Sequence, residues 1–152
     1  MTIYLVIGLI GALATGFAIG FQSTLSSKIG NLIGSFRSGV MINFIGGMLA
    51  ALFFVVLLIV KGKEFWQMPG ISLTLIVIAG ALDIMIITGI AFSLQRIGVA
   101  AGLAAVILGQ MVVSLIVDAK GWGGSTPIPI TLPRILGVVI IAVGVYILLP
   151  RK

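Results

Sequence analysis

Asp83 is the residue of this chain best suited to chemistry inside a membrane. It lies in the segment IAGALDIMIITG and is the single charged residue between Pro69 and Gln95. A carboxylate in lipid is costly, and intramembrane acids commonly mark solute pathways or proton relays. The same segment offers no Lys or Arg within two helical turns. Asp83 is therefore a candidate proton-binding or solute-binding group, and a neutral, hydrogen-bonded structural acid is the alternative.

Further polar residues interrupt the apolar runs. Gln110, Ser114 and Asp118 follow one another at intervals of four, which places them on one stripe of a helix. Gln110 fits a solute pathway and interhelical hydrogen bonding equally well, whereas bonding or ion pairing near a loop explains Ser114 and Asp118 more simply. The candidates for a substrate or proton path are Asp83, Gln110, Gln22, Asn43 and Ser114.

Other kinds of site are excluded by residue type. The chain has no cysteine and no histidine and only three acids, so it offers no metal-ligand set. It also shows no nucleophile–base pair and no phosphate-binding loop, so we expect no enzyme activity and no cofactor. The net charge is +6, but the basic residues form no run of the kind that binds nucleic acid.

The elements that must position these residues are membrane-spanning helices. Of the 152 residues 61% are hydrophobic and only 8% are charged, against about 25% charged in soluble domains. A spanning helix needs about 20 apolar residues. The sequence predicts an all-α membrane protein with a single transmembrane domain over residues 1–152, whose five spans cover about 3–21, 38–60, 71–94, 99–117 and 132–149. Asp83 then lies roughly 17 Å from either end of the third span, at the bilayer midplane.

The basic residues are divided almost evenly between the two membrane faces. With five spans, four lie on the N-terminal side (Lys61, Lys63, Lys120 and Arg134) and five on the other (Lys28, Arg37, Arg96, Arg151 and Lys152). Orientation follows an excess of Lys and Arg in short cytoplasmic loops. The near balance predicts dual topology, with copies inserted both ways and paired antiparallel. A single orientation set by other factors is the alternative.

Small residues recur at every fourth position in three spans. Such stripes allow helix backbones to approach closely within a membrane. They predict a tight bundle with a helix–helix or dimer interface, for which the candidates are Gly8, Gly16, Gly20, Gly47 and Gly109.

The chain resembles the small five-helix YdcZ-type family of the drug/metabolite transporter superfamily over nearly its whole length. Its C-terminal half resembles the family signature of Gly-Gln, Ser-Leu, Asp, a Gly-rich turn and an Arg-Leu/Ile-Leu-Gly helix. The matching residues are Gly109, Gln110, Ser114, Leu115, Asp118, Gly121, Arg134 and Gly137, and in the N-terminal half Gln22 near the end of the first helix, Gly34, Ser35, Phe44 and Gly47.

Two positions depart from the family pattern. Ser26 stands where the family usually has Asn, and Asp83 stands where it usually has a small residue. The resemblance therefore implies no role for Asp83. For the chain as a whole it implies one half of a ten-helix transporter fold with inverted repeats, often in dual topology.

Together these observations predict a small-molecule transporter that works as an antiparallel homodimer by alternating access, with proton coupling at Asp83. The expected location is a prokaryotic inner membrane, with the lipid bilayer and an unidentified small solute as the other partners. A passive dual-topology channel for a small ion and a non-transporting partner subunit are the alternatives.

Overall fold

The chain folds into five α-helices, which confirms the all-α prediction. A computed structural model describes residues 3–122 and 126–151, and these contain no strand. The helices are α1 (Ile3–Ile33), α2 (Ser35–Lys61), α3 (Gly70–Ile97), α4 (Val99–Lys120) and α5 (Leu132–Leu148), with a short 3₁₀ helix (Lys63–Trp66) between α2 and α3.

Four of the helices are long and apolar enough to cross a membrane. These stretches cover Leu5–Ile33, Ser35–Lys61, Gly70–Ile97 and Val99–Lys120. Helix α5 is also apolar but has 17 residues, about 26 Å, which is the short end of the range for a spanning helix. The fifth crossing therefore stays a prediction.

Helix α1 is much longer than the span expected for it. The predicted span stopped at Phe21, before the polar segment QSTLSSK. Helix α1 continues past this point to Ile33, so the end predicted for the span is not the end of the helix. Eleven helical residues thus follow Gln22, which the resemblance implied to be near the end of the helix.

The extension of α1 is helical because its small polar residues are buried on one side. Ser23, Ser26, Ser27 and Gly30 are buried and follow the spacing of one helix face. Ser26, at the position where the family usually has Asn, is 1% exposed. Its carbonyl accepts a hydrogen bond of 3.0 Å from the Ser38 hydroxyl of α2. Packing therefore overrides the weak helix propensity of serine here.

Two of the turns consist of one glycine each. Gly34 separates α1 from α2 at φ 90°, and Gly98 separates α3 from α4 at φ 82°. Side chains rarely adopt this conformation, which explains glycine at both places. The residues 4, 7, 8 and 11 positions before each glycine are buried in both hairpins, and so is the residue four positions after it. The two helix hairpins thus bury the same positions when residues are counted from the turn glycine.

The chain divides into two compact units. One unit is Gln22–Phe92, and the other combines the residues up to Phe21 with those from Ser93 onward. This division into contact units does not test the prediction of a single transmembrane domain, which stays a prediction.

In the Gln22–Phe92 unit, α2 and α3 come into close contact at Gly39. A Cβ atom placed on Gly39 would lie 2.1 Å from the Thr88 hydroxyl and 3.0 Å from the Thr88 backbone nitrogen. No side chain fits between these backbones, so Gly39 is required by packing. Ser38, Ile87, Ile90 and Ala91 are buried around this contact.

We expect Gly39→Ala to destabilise the protein by about 1–3 kcal/mol, because the added methyl overpacks a site with backbone on its far side. Gly46→Ala in the same helix is the matched control, since a Cβ there meets no atom within 4 Å. The control should be neutral or stabilising by up to about 1 kcal/mol, since Ala is the better helix former. Unfolding of both variants in detergent, followed by tryptophan fluorescence, measures the difference. Equal stability of the two would contradict the packing described.

Candidate functional site

The Gln22–Phe92 unit contains an open groove with a volume of about 660 Å³. Three helices each contribute one polar side chain to it: Gln22 from α1, Asn43 from α2 and Asp83 from α3. The remaining wall is aliphatic, aromatic or backbone, from Val40, Ile42, Phe44, Gly46, Gly47, Ala50, Gly80, Ile84 and Ile87. The structure therefore brings together three of the five polar residues singled out in the sequence.

Asp83 lies at the middle of its helix. It lies thirteen positions after Gly70 at the start of α3 and fourteen positions before Ile97 at the end. It is exposed to the groove, and its carboxylate makes no hydrogen bond or ion pair with the described part of the chain. In a bilayer such a group requires water, a proton, a ligand or a neighbouring subunit.

Asn43 is half-buried and has a fixed orientation. Its amide nitrogen donates a hydrogen bond of 3.0 Å to the Gly39 carbonyl, one turn earlier in α2. The amide oxygen therefore remains available as an acceptor, and the second N–H of the amide remains a donor. Gln22 is exposed and makes no hydrogen bond within residues 3–122 and 126–151, so either end of its amide can face a ligand.

Glycines keep the groove open. Gly46 and Gly47 follow Asn43 by three and four residues, and Gly80 precedes Asp83 by three, so each lies on the face of its polar neighbour. A Cβ at any of these three glycines would meet no atom within 4 Å. Larger residues would therefore fill the groove without disturbing the packing behind it.

A second, smaller cavity of about 250 Å³ lies in the other unit, where α4 packs against α5. Ser114, Asp118 and Arg134 line it together with apolar residues. The Arg134 guanidinium forms an ion pair with the Asp118 carboxylate. This confirms the interpretation of Asp118 as a residue paired at the loop.

The α4–α5 connection is bonded to the same ion pair. The Ile128 backbone N–H donates to the Asp118 carbonyl at 2.9 Å, and Arg134 also donates to the Ile128 carbonyl at 3.5 Å. Asp118 thus holds the loop through its backbone and α5 through its side chain. Ser114 lies one turn before Asp118 and lines this cavity. It does not line the groove.

Most of the other predicted residues line neither of these two cavities. Gln110 lines neither of them. Of the proposed packing glycines, Gly47 lines the groove, and a Cβ at the other four would meet nothing within 4 Å in the described structure: Gly8, Gly16, Gly20 and Gly109. Their role in a dimer interface stays a prediction.

Sequence reasoning missed the contacts that shape the groove. It gave no role to Ser38 or to Gly80, and it did not connect Gly39 with Thr88. The spacing of Gly80 from Asp83 was a usable signal, since three residues place the two on one helix face. The contact of Gly39 with Thr88 joins two helices, and spacing along one helix cannot show it.

Four long apolar helices, and a groove with three polar side chains in its wall, are typical of polytopic α-helical membrane proteins. Within that class, residues 7–147 match the family model described as "Putative inner membrane exporter, YdcZ". The chain belongs to this family, which confirms the resemblance read from the sequence. It is an inner-membrane protein, and the family supports a transporter role, which is not an enzyme class. No curated protein and no solved structure matches the chain.

The ion pair between Asp118 and Arg134 generates a stability prediction. Their side chains are 33% and 29% exposed, so water weakens the attraction only in part. We expect a coupling free energy of about 1 kcal/mol from the double-mutant cycle of Asp118→Asn, Arg134→Gln and the double variant. Unfolding of the four purified proteins in detergent gives this value. A coupling of zero would mean that the pair adds no stability.

Proposed function

We propose that this protein is a small-molecule exporter that works as an antiparallel homodimer by alternating access, with proton coupling at Asp83. The observation that carries the proposal is the groove with Gln22, Asn43 and Asp83 in its wall. Its volume of about 660 Å³ is within the range of about 300–1,000 Å³ of small-ligand sites. Family membership supports the direction, since the family is described as an exporter.

The open side of the groove supports a dimer. A solute held in an open groove needs a cover, and a second copy of the chain is the cover that we propose. The near-equal numbers of basic residues at the two faces favour an antiparallel partner. If α5 also crosses the membrane, two five-span copies form the ten-helix inverted repeat typical of alternating-access transporters.

An antiparallel pair gives Asp83 a special position. The two copies are related by an axis in the membrane plane, and a residue at mid-depth then meets its mate at equal depth. If the two carboxylates approach each other across this axis, they cannot both remain ionised without a large cost, and the pair then holds a proton. A solute that displaces this proton is exchanged against it. Because Asp83 binds either the proton or the solute, it couples the movement of the proton to that of the solute.

We expect copies of the chain to insert in both orientations. The physical reason is the balance of four basic residues against five, all near helix ends. A single cysteine added after Lys152 should react in part with an impermeant maleimide on intact cells. Addition of two lysines to the loop around Lys61 should shift labelling to one side. Labelling of the unmodified chain on one side alone would contradict dual topology.

We expect Asp83→Asn to abolish proton-coupled transport while leaving the fold intact, because Asn keeps the shape and hydrogen bonding but cannot exchange a proton. A thermal-stability screen of the purified protein supplies a ligand, since ligands raise the stability of the state that binds them. Proteoliposomes loaded with a pH-sensitive dye then report proton movement driven by a ligand gradient.

Glu64→Gln is the matched control, because Glu64 is an exposed acid of the 3₁₀ helix and is absent from the groove wall. It should transport like the parent chain. Unchanged rate and pH dependence in Asp83→Asn would show that Asp83 is structural. Flux that neither saturates nor responds to competitors would favour a passive channel, and no flux with any ligand would favour a non-transporting subunit.

A further inference from the structure

We propose that the groove selects organic cations that carry N–H donors, such as primary ammonium groups, over quaternary ammonium groups. This inference rests on the proposed function, because it takes the groove as the solute site. It adds the chemical class of the solute and assigns a selectivity role to Asn43.

The charge of the groove determines the sign of the solute. Asp83 is the single ionisable residue in its wall, and no lysine or arginine lines it. An anion would therefore face a carboxylate with no compensating cation, in a medium where unpaired charges are costly. A monovalent cation that replaces the proton on Asp83 leaves the charge of the groove unchanged.

The orientation of Asn43 determines which kind of cation fits. A carbonyl can only accept a hydrogen bond, so the bond to the Gly39 carbonyl requires the amide nitrogen of Asn43. The amide oxygen is left as an acceptor. The anchor is rigid because Gly39 is packed against the Thr88 backbone. Asn43 is thus held as an acceptor, and Gln22 can turn its own oxygen toward the same ligand.

A ligand with N–H groups satisfies these acceptors. A primary ammonium has three donors, which is enough for Asp83, Asn43 and Gln22 together. A quaternary ammonium has none, so it can neutralise Asp83, but its methyl groups would cover the Asn43 oxygen without giving it a hydrogen bond. An unsatisfied buried acceptor costs about 1–3 kcal/mol, which corresponds to roughly a tenfold loss of affinity or more. The apolar wall, with Phe44 and Ile84, accommodates the carbon body of either ligand.

The test compares two probes that differ only at nitrogen, phenethylammonium and its N,N,N-trimethyl derivative. Their affinities for the purified full chain in detergent are measured by isothermal titration at a pH where both are cations. We expect the primary ammonium to bind about tenfold more tightly or better. In Asn43→Leu, of similar size, that preference should fall to near one through loss of primary-ammonium binding. Asp83→Asn should weaken both probes.

Thr15→Val is the control, since the Thr15 hydroxyl donates to the Gly11 carbonyl of its own helix and lies outside the groove wall. It should leave both affinities unchanged. Equal or tighter binding of the trimethyl probe by the parent chain would overturn the proposal, and this comparison needs no variant. An equal loss for both probes in Asn43→Leu would overturn the role of Asn43.

The outcomes also separate this inference from the proposed function. Binding of neither probe, together with Asp83-dependent transport of another solute, would overturn the selectivity alone. Ammonium binding without any proton-coupled flux would leave the recognition chemistry in place and overturn the transport mechanism.

Discussion

The close approach of α2 and α3 at Gly39 is the contact on which the candidate site depends. It brings the two backbones so near that no Cβ fits between Gly39 and Thr88. One turn further along α2, Asn43 binds the Gly39 carbonyl, so the same glycine fixes the direction of the amide. Beyond it Gly46, Gly47 and Gly80 have no side chains to fill the space beside Asn43 and Asp83, and this space is the groove.

The two aspartates of the chain's helices show how position determines role. Asp118 lies near the end of α4, where Arg134 pairs with it and the loop contributes further hydrogen bonds. Asp83 lies at the middle of α3, with no such partner in the described structure. A structural acid near the end of a membrane helix can find an ion-pair partner within the same chain. An acid at mid-depth needs a proton, a solute or a second copy.

The groove combines residues of the family pattern with one that departs from it. Gln22, Phe44 and Gly47 match the YdcZ-type pattern and line the groove, whereas Asp83 stands where the family usually has a small residue. A groove built by shared residues and modified by an individual acid explains how one fold could serve different solutes. The charge requirement that we infer for the solute therefore rests on Asp83 of this chain.

The sequence by itself determined the class and the elements of this protein. In lipid, the backbone N–H and C=O groups of a long apolar run are paired within the run when it forms a helix. Five helices and a mid-helix Asp83 therefore followed from composition and spacing alone. The family followed from residues in both halves of the chain. The loop pairing of Asp118 was also predictable, because a charge near a helix end has a simple structural use.

Tertiary structure decided which polar residues form a site. Gln22 and Asn43 line the groove with Asp83, while Gln110, an equally plausible candidate in the sequence, lines neither cavity. The extension of α1 past Phe21 arises because packing buries its serines, and propensity alone pointed to a loop. Spacing along one helix fixes which residues share a face. Which faces meet depends on contacts between helices, and those depend on where small residues such as Gly39 let backbones touch.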